Sequence, residues 1–479
     1  MDASSISYYF LNISIGLVAP AIILRWFFSK LKSKGVDFKH TSIQSAASIP
    51  DQDTANSVDI NTDIGSLLPL TIHHEFAKAY IRLVNEDGAG SWPPAANFDF
   101  WPPAIQPYQD IYTQYTSSLT VSEASLYDDV NEGNRHKFRT DMQKLLQEHI
   151  NLDSVRQALE LDSSKPSVSR DQINAFHGTL AYLRHVYRWA SNPIVRVAQL
   201  ETTIDMPPEL DIPWKGLQNL AGFYAESGNH TTNVLLSFDS SGRRRLRTTS
   251  GVDKPIMTTE DNFFSLFYNY ELNSVPLYFE IIRCLAAFDE ARQSECMQHL
   301  NNICILVRKL SRVFHSGLTE QKVSKSNWMQ YTQGFHGWGL EKVVDGIPIT
   351  HTGVSGSQVL AFHIIDSFLG LEPYMSNDEI ELYVPARQHM FSLAVRRACF
   401  RHKLTSISHP LLYDRMEHLA QQMKSFRCGH RKRVMPYLKA HAPERRHMTN
   451  GKMIEGLGDI EDALKPLDDM LVRRIRSTK

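Results

Sequence analysis

The sequence predicts an all-α protein, and three observations carry that expectation. Apolar residues recur at three- and four-residue spacing through 73–85, 137–160, 172–190, 214–224, 263–288 and 295–315, the period of an amphipathic helix. No stretch sustains the period-two alternation of a half-buried strand, so a sheet of any size is not expected. Pro-, Gly- and Ser-rich segments separate the periodic runs. With 479 residues the chain can form two or three domains around a large core. A formal net charge of −1 gives no basic surface for a nucleic-acid partner. Five cysteines (Cys284, Cys296, Cys304, Cys399, Cys428) lack C-x-x-C spacing. They indicate neither a zinc site nor a disulfide framework, and they suit a reducing compartment.

Taken in order, the chain opens with an apolar segment. Ala3 to Leu24 carry no charge and are long enough to span a bilayer. Arg25, Lys30, Lys32 and Lys34 follow, with Trp26, Phe27 and Phe28 at the interface, so residues 3–28 are expected to be a single-pass transmembrane anchor. The positive flank places the main body in the cytosol, on the endoplasmic reticulum. Sequons at Asn12 and Asn229 are expected to stay unmodified, the first too close to the membrane and the second on its cytosolic side. Residues 36–66, rich in Ser, Thr, Asp and Asn, read as a flexible linker. A small helical domain is expected over 67–205, with the Trp/Pro-rich loop SWPPAANFDFWPPAIQP packed against it. A large helical domain follows over 206–440, entered through MPPELDIPW. Within it, Arg243, Arg244, Arg245 and Arg247 lie between Asp239 and Pro255 and read as a solvated loop. Pro276 should kink or split the apolar helix of 263–288. Residues 441–479 form a polar tail with a short helical pattern near Ile460 to Ile475. The chain is expected to be a monomer.

The stretch with most chemical content runs from Thr352 to Ala394. A small-residue turn, Gly353-Val354-Ser355-Gly356-Ser357, feeds an apolar helix that ends at Gly370. Glycines there permit positive φ and close backbone approach to a flat ligand. After an extended Val-Pro step, Gln388, His389 and Phe391 share one helical turn. A glycine-rich turn facing an imidazole could grip a buried metallocofactor; the same pattern also describes an ordinary turn beside a core histidine.

This stretch resembles the heme-binding heart of the indoleamine 2,3-dioxygenase family. Gly353, Ser355, Gly356, Gln358, Asp366, Leu369 and Gly370 match its glycine-rich turn and following helix, with one residue inserted near Ser357. Tyr383, Pro385 and Phe391 match its proximal segment. Further matches extend from about Ala181 to Leu438: Phe263-Phe264 and Glu271 on a pocket-wall helix, Gly337-Trp338, and Arg427, His430, Val434 and Tyr437 near the end. The family's mobile threonine-glycine loop has no clear counterpart in residues 441–479.

The resemblance implies a two-domain helical fold, a heme b (iron) cofactor, O₂ as co-substrate and an oxygenase activity. It departs from the family where the chemistry is most demanding. In strict register the axial ligand falls on Gln388, with His389 one position on, about 100° around a helix. His389 is the expected axial ligand, reached through a local helix irregularity, with His430 and His363 as fallbacks. Gly353, Ser355, Gly356, Trp328, Phe263, Phe264 and Phe267 are expected around the heme and its substrate. Phe267 replaces a pocket serine, and Thr332 replaces the arginine that grips the substrate carboxylate. A single hydroxyl cannot substitute for a bidentate fork. The expected substrate is therefore a hydrophobic, indole-like aromatic outside free amino acids, in specialised metabolism. The alternative is a heme-free cyclase, isomerase or hydrophobic-ligand carrier on the same fold.

Overall fold

Two long helices form the spine of the body, and the reason lies in their sequences. Lys254–Asp289 (α6) carries FFSLFYNYE and PLYFEIIRCLAAF, and Gln293–Gly317 (α7) buries Cys296, Leu300, Ile303, Cys304, Val307, Leu310 and Phe314. That spacing presents one apolar stripe to its neighbour. Ala291, at φ 55°, reverses the chain between them. In this computed structural model α6 runs unbroken through Pro276, so of the kink or split expected there the split does not occur. The proline has no N–H to offer the carbonyl of Leu272 one turn back, and it falls where the helix is solvent-exposed at Leu272.

The structure describes residues 60–119, 125–159, 168–344, 347–439 and 460–478. The expected anchor (3–28), most of the linker and the start of the tail lie outside these residues. Among the described residues no helix is long and apolar enough to cross a membrane. The body begins at Ile60, inside the stretch read as linker. Asp63 caps a 3₁₀ turn over Ile64–Ile72, Leu67 is fully buried, and Arg283 donates to Asn61 O at 2.7 Å and Ser66 Oγ at 2.9 Å.

Other helices include Glu75–Arg82 (α1), Gln106–Leu119 (α2), Asp128–His149 (α3), Arg170–Trp189 (α4) and Pro208–Ala221 (α5) before the spine. Leu360–Phe368 (α8), Asn377–Tyr383 (α9), Ala386–Ala398 (α10), Pro410–Leu438 (α11) and Ile460–Ser477 (α12) follow it. The fold is thus predominantly helical, as expected. Two apolar cores lie within the one compact unit from Ile60 onward. One joins α2, α4 and α5; the other joins the spine to α8, α10 and α11. Residues 67–92 pack into the second core, so the N-terminal module divides between the two. Helix α4 is buried on every side from Ile173 to Trp189. Its interior cations are matched: Arg184 meets Glu226, and Arg188 reaches Glu201 at 2.8 Å.

Two expectations fail here. Gly337–Val344 (β1) and Ile347–Gly353 (β2) pair antiparallel, with Val344 opposite Ile347 and Leu340 opposite His351. The Asp345-Gly346 pair between β-branched runs is a strong hairpin signal, masked in the sequence by the shortness of the strands and by Pro348. The arginine run is not a solvated loop either. Arg244 is buried, 2.5 Å from Glu260 Oε1 and with its guanidinium 3.9 Å from the Phe264 ring centroid. Glu260 also accepts from the backbone of Thr248 and Thr249 at 3.0 Å. Only Arg243 stays exposed. A charge run that looked like surface is the brace behind a cavity wall.

Candidate functional site

Helix α6 presents Phe263, Phe264 and Phe267 on one face, and around them lies a cavity of about 390 Å³. This is the size of a pocket for a small organic ligand. The π-helical turn Trp328–Gln333 supplies Trp328 and Thr332, and the turn after β2 supplies Ser355 and Gly356. Helix α11 adds Phe426, Arg427 and His430, and α12 adds Met470 and Leu471. Six of the seven residues expected around a cofactor and substrate thus line one space: Phe263, Phe264, Phe267, Trp328, Ser355 and Gly356. The seventh, Gly353, is buried just behind the wall, its carbonyl accepting from Gln358 Nε2 at 3.0 Å.

The turn carrying Ser355 and Gly356 is held by polar bonds on its inner side. Gln358 Oε1 accepts from the backbone N–H of His230 at 2.9 Å, tying this turn to the helical turn His230–Asn233. Ser355 Oγ accepts from Ser357 N at 3.3 Å. Gly370 at the end of α8 uses the positive φ that a glycine permits, at 66°, whereas Gly356 does not. Its lack of a side chain provides space instead, since a Cβ would meet nothing nearer than Phe267 Cε1 at 3.9 Å. Glu271, one turn beyond Phe267, is buried. It accepts from Trp92 Nε1 at 2.9 Å, Tyr278 OH at 2.7 Å and Ala361 N at 3.0 Å, at the N-terminus of α8. Burial raises its pKa.

The histidines are arranged differently from the expectation. His389 sits partly exposed on α10 and does not reach the cavity. Its neighbour Gln388 is buried but donates to Thr231 Oγ1 at 2.7 Å, also off the cavity wall. His363 Nε2 lies 2.7 Å from Ser357 O and faces away as well. A one-residue displacement on a regular helix changes the side chain's direction by about 100°, and α10 shows no irregularity that reverses this. The imidazoles on the wall are His230, His336 and His430. Burial holds all three neutral, His230 with its pKa pushed down to about 3, His430 to about 4, and His336 well below the ordinary value.

His230 and His336 were not singled out by sequence reasoning. His336 precedes the Gly337-Trp338 pair that was noticed; His230 follows the Asn229 sequon. Asn229 is fully buried and its side chain caps the His230–Asn233 turn, so the folded chain cannot carry a glycan there. The docking of α12 was equally hidden. Arg474 and Arg427 both pair with Asp366, and this contact brings Met470 and Leu471 to the cavity.

Compared with known protein families and with curated proteins, the chain finds no match. Among the described residues, no group of three or more His, Cys, Asp or Glu side chains is placed to hold a metal ion. What the cavity offers is an apolar aromatic box with a few polar atoms in its wall. Trp328 Nε1, Thr332 Oγ1, His230 Nε2 and His336 Nε2 are buried and have no hydrogen-bond partner among the described residues. Buried polar atoms of this kind are costly unless something meets them.

Proposed function

We propose that this chain is a heme-dependent oxygenase resembling the indoleamine 2,3-dioxygenase family, using O₂ on a hydrophobic, indole-like aromatic substrate. The observation that supports this most is the convergence of Phe263, Phe264, Phe267, Trp328, Ser355 and Gly356, from three separate stretches of the chain, on one cavity. The resemblance selects all six. The two-domain helical plan of that family and a membrane tether through residues 3–28 belong to the same proposal.

The donor set suits a heme, with a change of ligand. A neutral imidazole is the form that coordinates iron, and His430 and His230 are neutral and open to the cavity, whereas His389 is outside it. In this reading His430 on α11 would hold the iron. The Arg427–Asp366–Arg474 cluster, two cations on one carboxylate, leaves positive charge beside the cavity for an acidic group of the cofactor. Bound there, the heme would supply O₂ activation. The chain's own part is to exclude water with Phe263, Phe264, Phe267 and Phe426, and to orient an aromatic ring against Trp328 and Phe263, whose centroids lie 5.4 Å apart. Thr332 lines the cavity in place of a guanidinium, which supports a substrate without an amino-acid carboxylate.

The heme-free alternative draws on one observation: Gln388, the in-register ligand position, is occupied with Thr231. Absorption spectra of the full-length protein produced with ample heme separate the two. A Soret band that shifts in His430→Ala and persists in His389→Ala is expected. A complete lack of Soret absorption would leave the cyclase, isomerase or carrier reading in its place.

A further inference from the structure

Several polar atoms of the cavity wall lack partners, and the hydrogen bonds behind His336 show how one of them is set. His185 sits between two carbonyls, with Nδ1 2.7 Å from Phe335 O and Nε2 2.9 Å from Ser227 O. Its Nε2 also lies 3.0 Å from Asn233 Nδ2. The orientation of the Asn233 amide is fixed from its other end, where Oδ1 accepts from Thr232 Oγ1 at 2.7 Å. Asn233 Nδ2 therefore presents its N–H side to Ser227 O at 3.3 Å and His336 Nδ1 at 3.4 Å. An imidazole nitrogen facing an amide N–H must accept. Because burial keeps His336 neutral, its single proton sits on Nε2, the atom without a partner on the cavity wall. Trp328 Nε1, a donor and never an acceptor, is unpartnered on the same wall. The two are linked through adjacent residues of α6: Phe264 contacts His336 with centroids 5.0 Å apart, and Phe263 contacts Trp328 at 5.4 Å. The one carboxylate among the described lining residues, Glu379, caps the N-terminus of α9.

We propose that the cavity selects an aromatic ligand bearing a carbonyl-type acceptor oxygen, and that His336, held as its Nε2–H tautomer by Asn233, is the donor that receives this oxygen. Trp328 Nε1–H is the second donor. The proposal rests on reading this cavity as the substrate site, and it narrows that reading from aromatic in general to acceptor-bearing aromatics. It does not depend on whether a cofactor is present, because it concerns recognition alone.

The test is calorimetric titration of the full-length protein with two probes of nearly equal shape, indole-3-carbaldehyde and 3-methylindole. The aldehyde should bind roughly tenfold more tightly, the factor expected when a buried donor gains a partner in one complex and is left bare in the other. In His336→Phe, whose ring suits the aromatic contacts with Tyr182 and Phe264, the ratio should fall toward unity. In His336→Gln, which retains an N–H, part of the preference should return. If His336→Phe fails to fold, judged by its circular dichroism, His336→Met carries the same comparison. Equal affinity for both probes in the unmodified protein, or an unchanged ratio in a folded donor-free variant, overturns the proposal while leaving the cavity a ligand site. Failure of both probes to bind removes the substrate-site reading and the proposal with it.

Discussion

Acidification should unfold this protein at a pH where most globular proteins are still stable, and the buried histidines set the magnitude. Burial depresses His177 and His230 to about 3 and His185 and His430 to about 4, against an ordinary value of 6.5. Each is neutral when folded and takes up a proton when unfolded. A depressed folded pKa means the stabilisation is complete above pH 6.5 and is lost as pH falls toward the folded value. Linkage puts the loss for one such group at about 0.8 kcal/mol at pH 6 and about 2 kcal/mol at pH 5. For the four together this is about 8 kcal/mol at pH 5, comparable with the whole stability of an ordinary domain, 5–15 kcal/mol. His336 adds to it. The buried carboxyls of Glu271 and Asp87 act oppositely, since their raised pKa values favour the folded state in acid, and they soften the fall. Urea midpoints followed by circular dichroism from pH 7.5 to 5 should drop steeply below pH 6.5. The variant His177→Phe replaces a ring already stacked on Phe223, and should flatten the slope by up to about 1.4 kcal/mol per pH unit. A urea midpoint that stays level from pH 7.5 to 5 would refute the reasoning.

The other expectations can be checked with simple variants. A chain beginning at Ile60 should be soluble and as helical as the parent. One beginning at Leu67 loses the Asp63 cap and two hydrogen bonds to Arg283, and should be less stable by about 1–2 kcal/mol in urea titration. Arg474→Met leaves Asp366 with Arg427 alone and should cost about 1.5–3 kcal/mol, read as a lower urea midpoint. Thr332→Arg should improve the binding of indole-3-acetate relative to 3-methylindole in calorimetry, within the roughly 2–5 kcal/mol that a desolvated charge pair can carry. Free tryptophan should be a poor substrate of the unmodified protein in a turnover assay.

The helices were legible because their apolar residues recur at the period of the structure they form, as in Cys296 to Phe314 on α7. The aromatic face of the cavity was legible too, through the resemblance that selected Phe263, Phe264, Phe267 and Trp328. What stayed hidden depended on partners distant in the chain. Arg244 reads as surface until Glu260 and Phe264 are seen beside it. His336 reads as an ordinary polar residue until the Asn233 amide is seen facing its Nδ1. The direction of His389 depended on the phase of α10, which a motif counted along the sequence does not reveal. The hairpin of β1 and β2 was the exception, since its Asp-Gly signal was local and was obscured by the shortness of the strands and by Pro348.

The walls of the cavity come from His230, α6, the turn after β2, α11 and α12, so an occupant touches segments that meet only in the folded chain. A molecule that fits will therefore bind the folded state alone and raise the free energy of unfolding with its concentration, by about 2.7 kcal/mol at a hundred times its dissociation constant. The melting temperature of the protein thus reports occupancy of a cavity whose reaction need not be known. A panel of small aromatic compounds, with and without carbonyl groups, can be ranked by that one measurement before any product is sought.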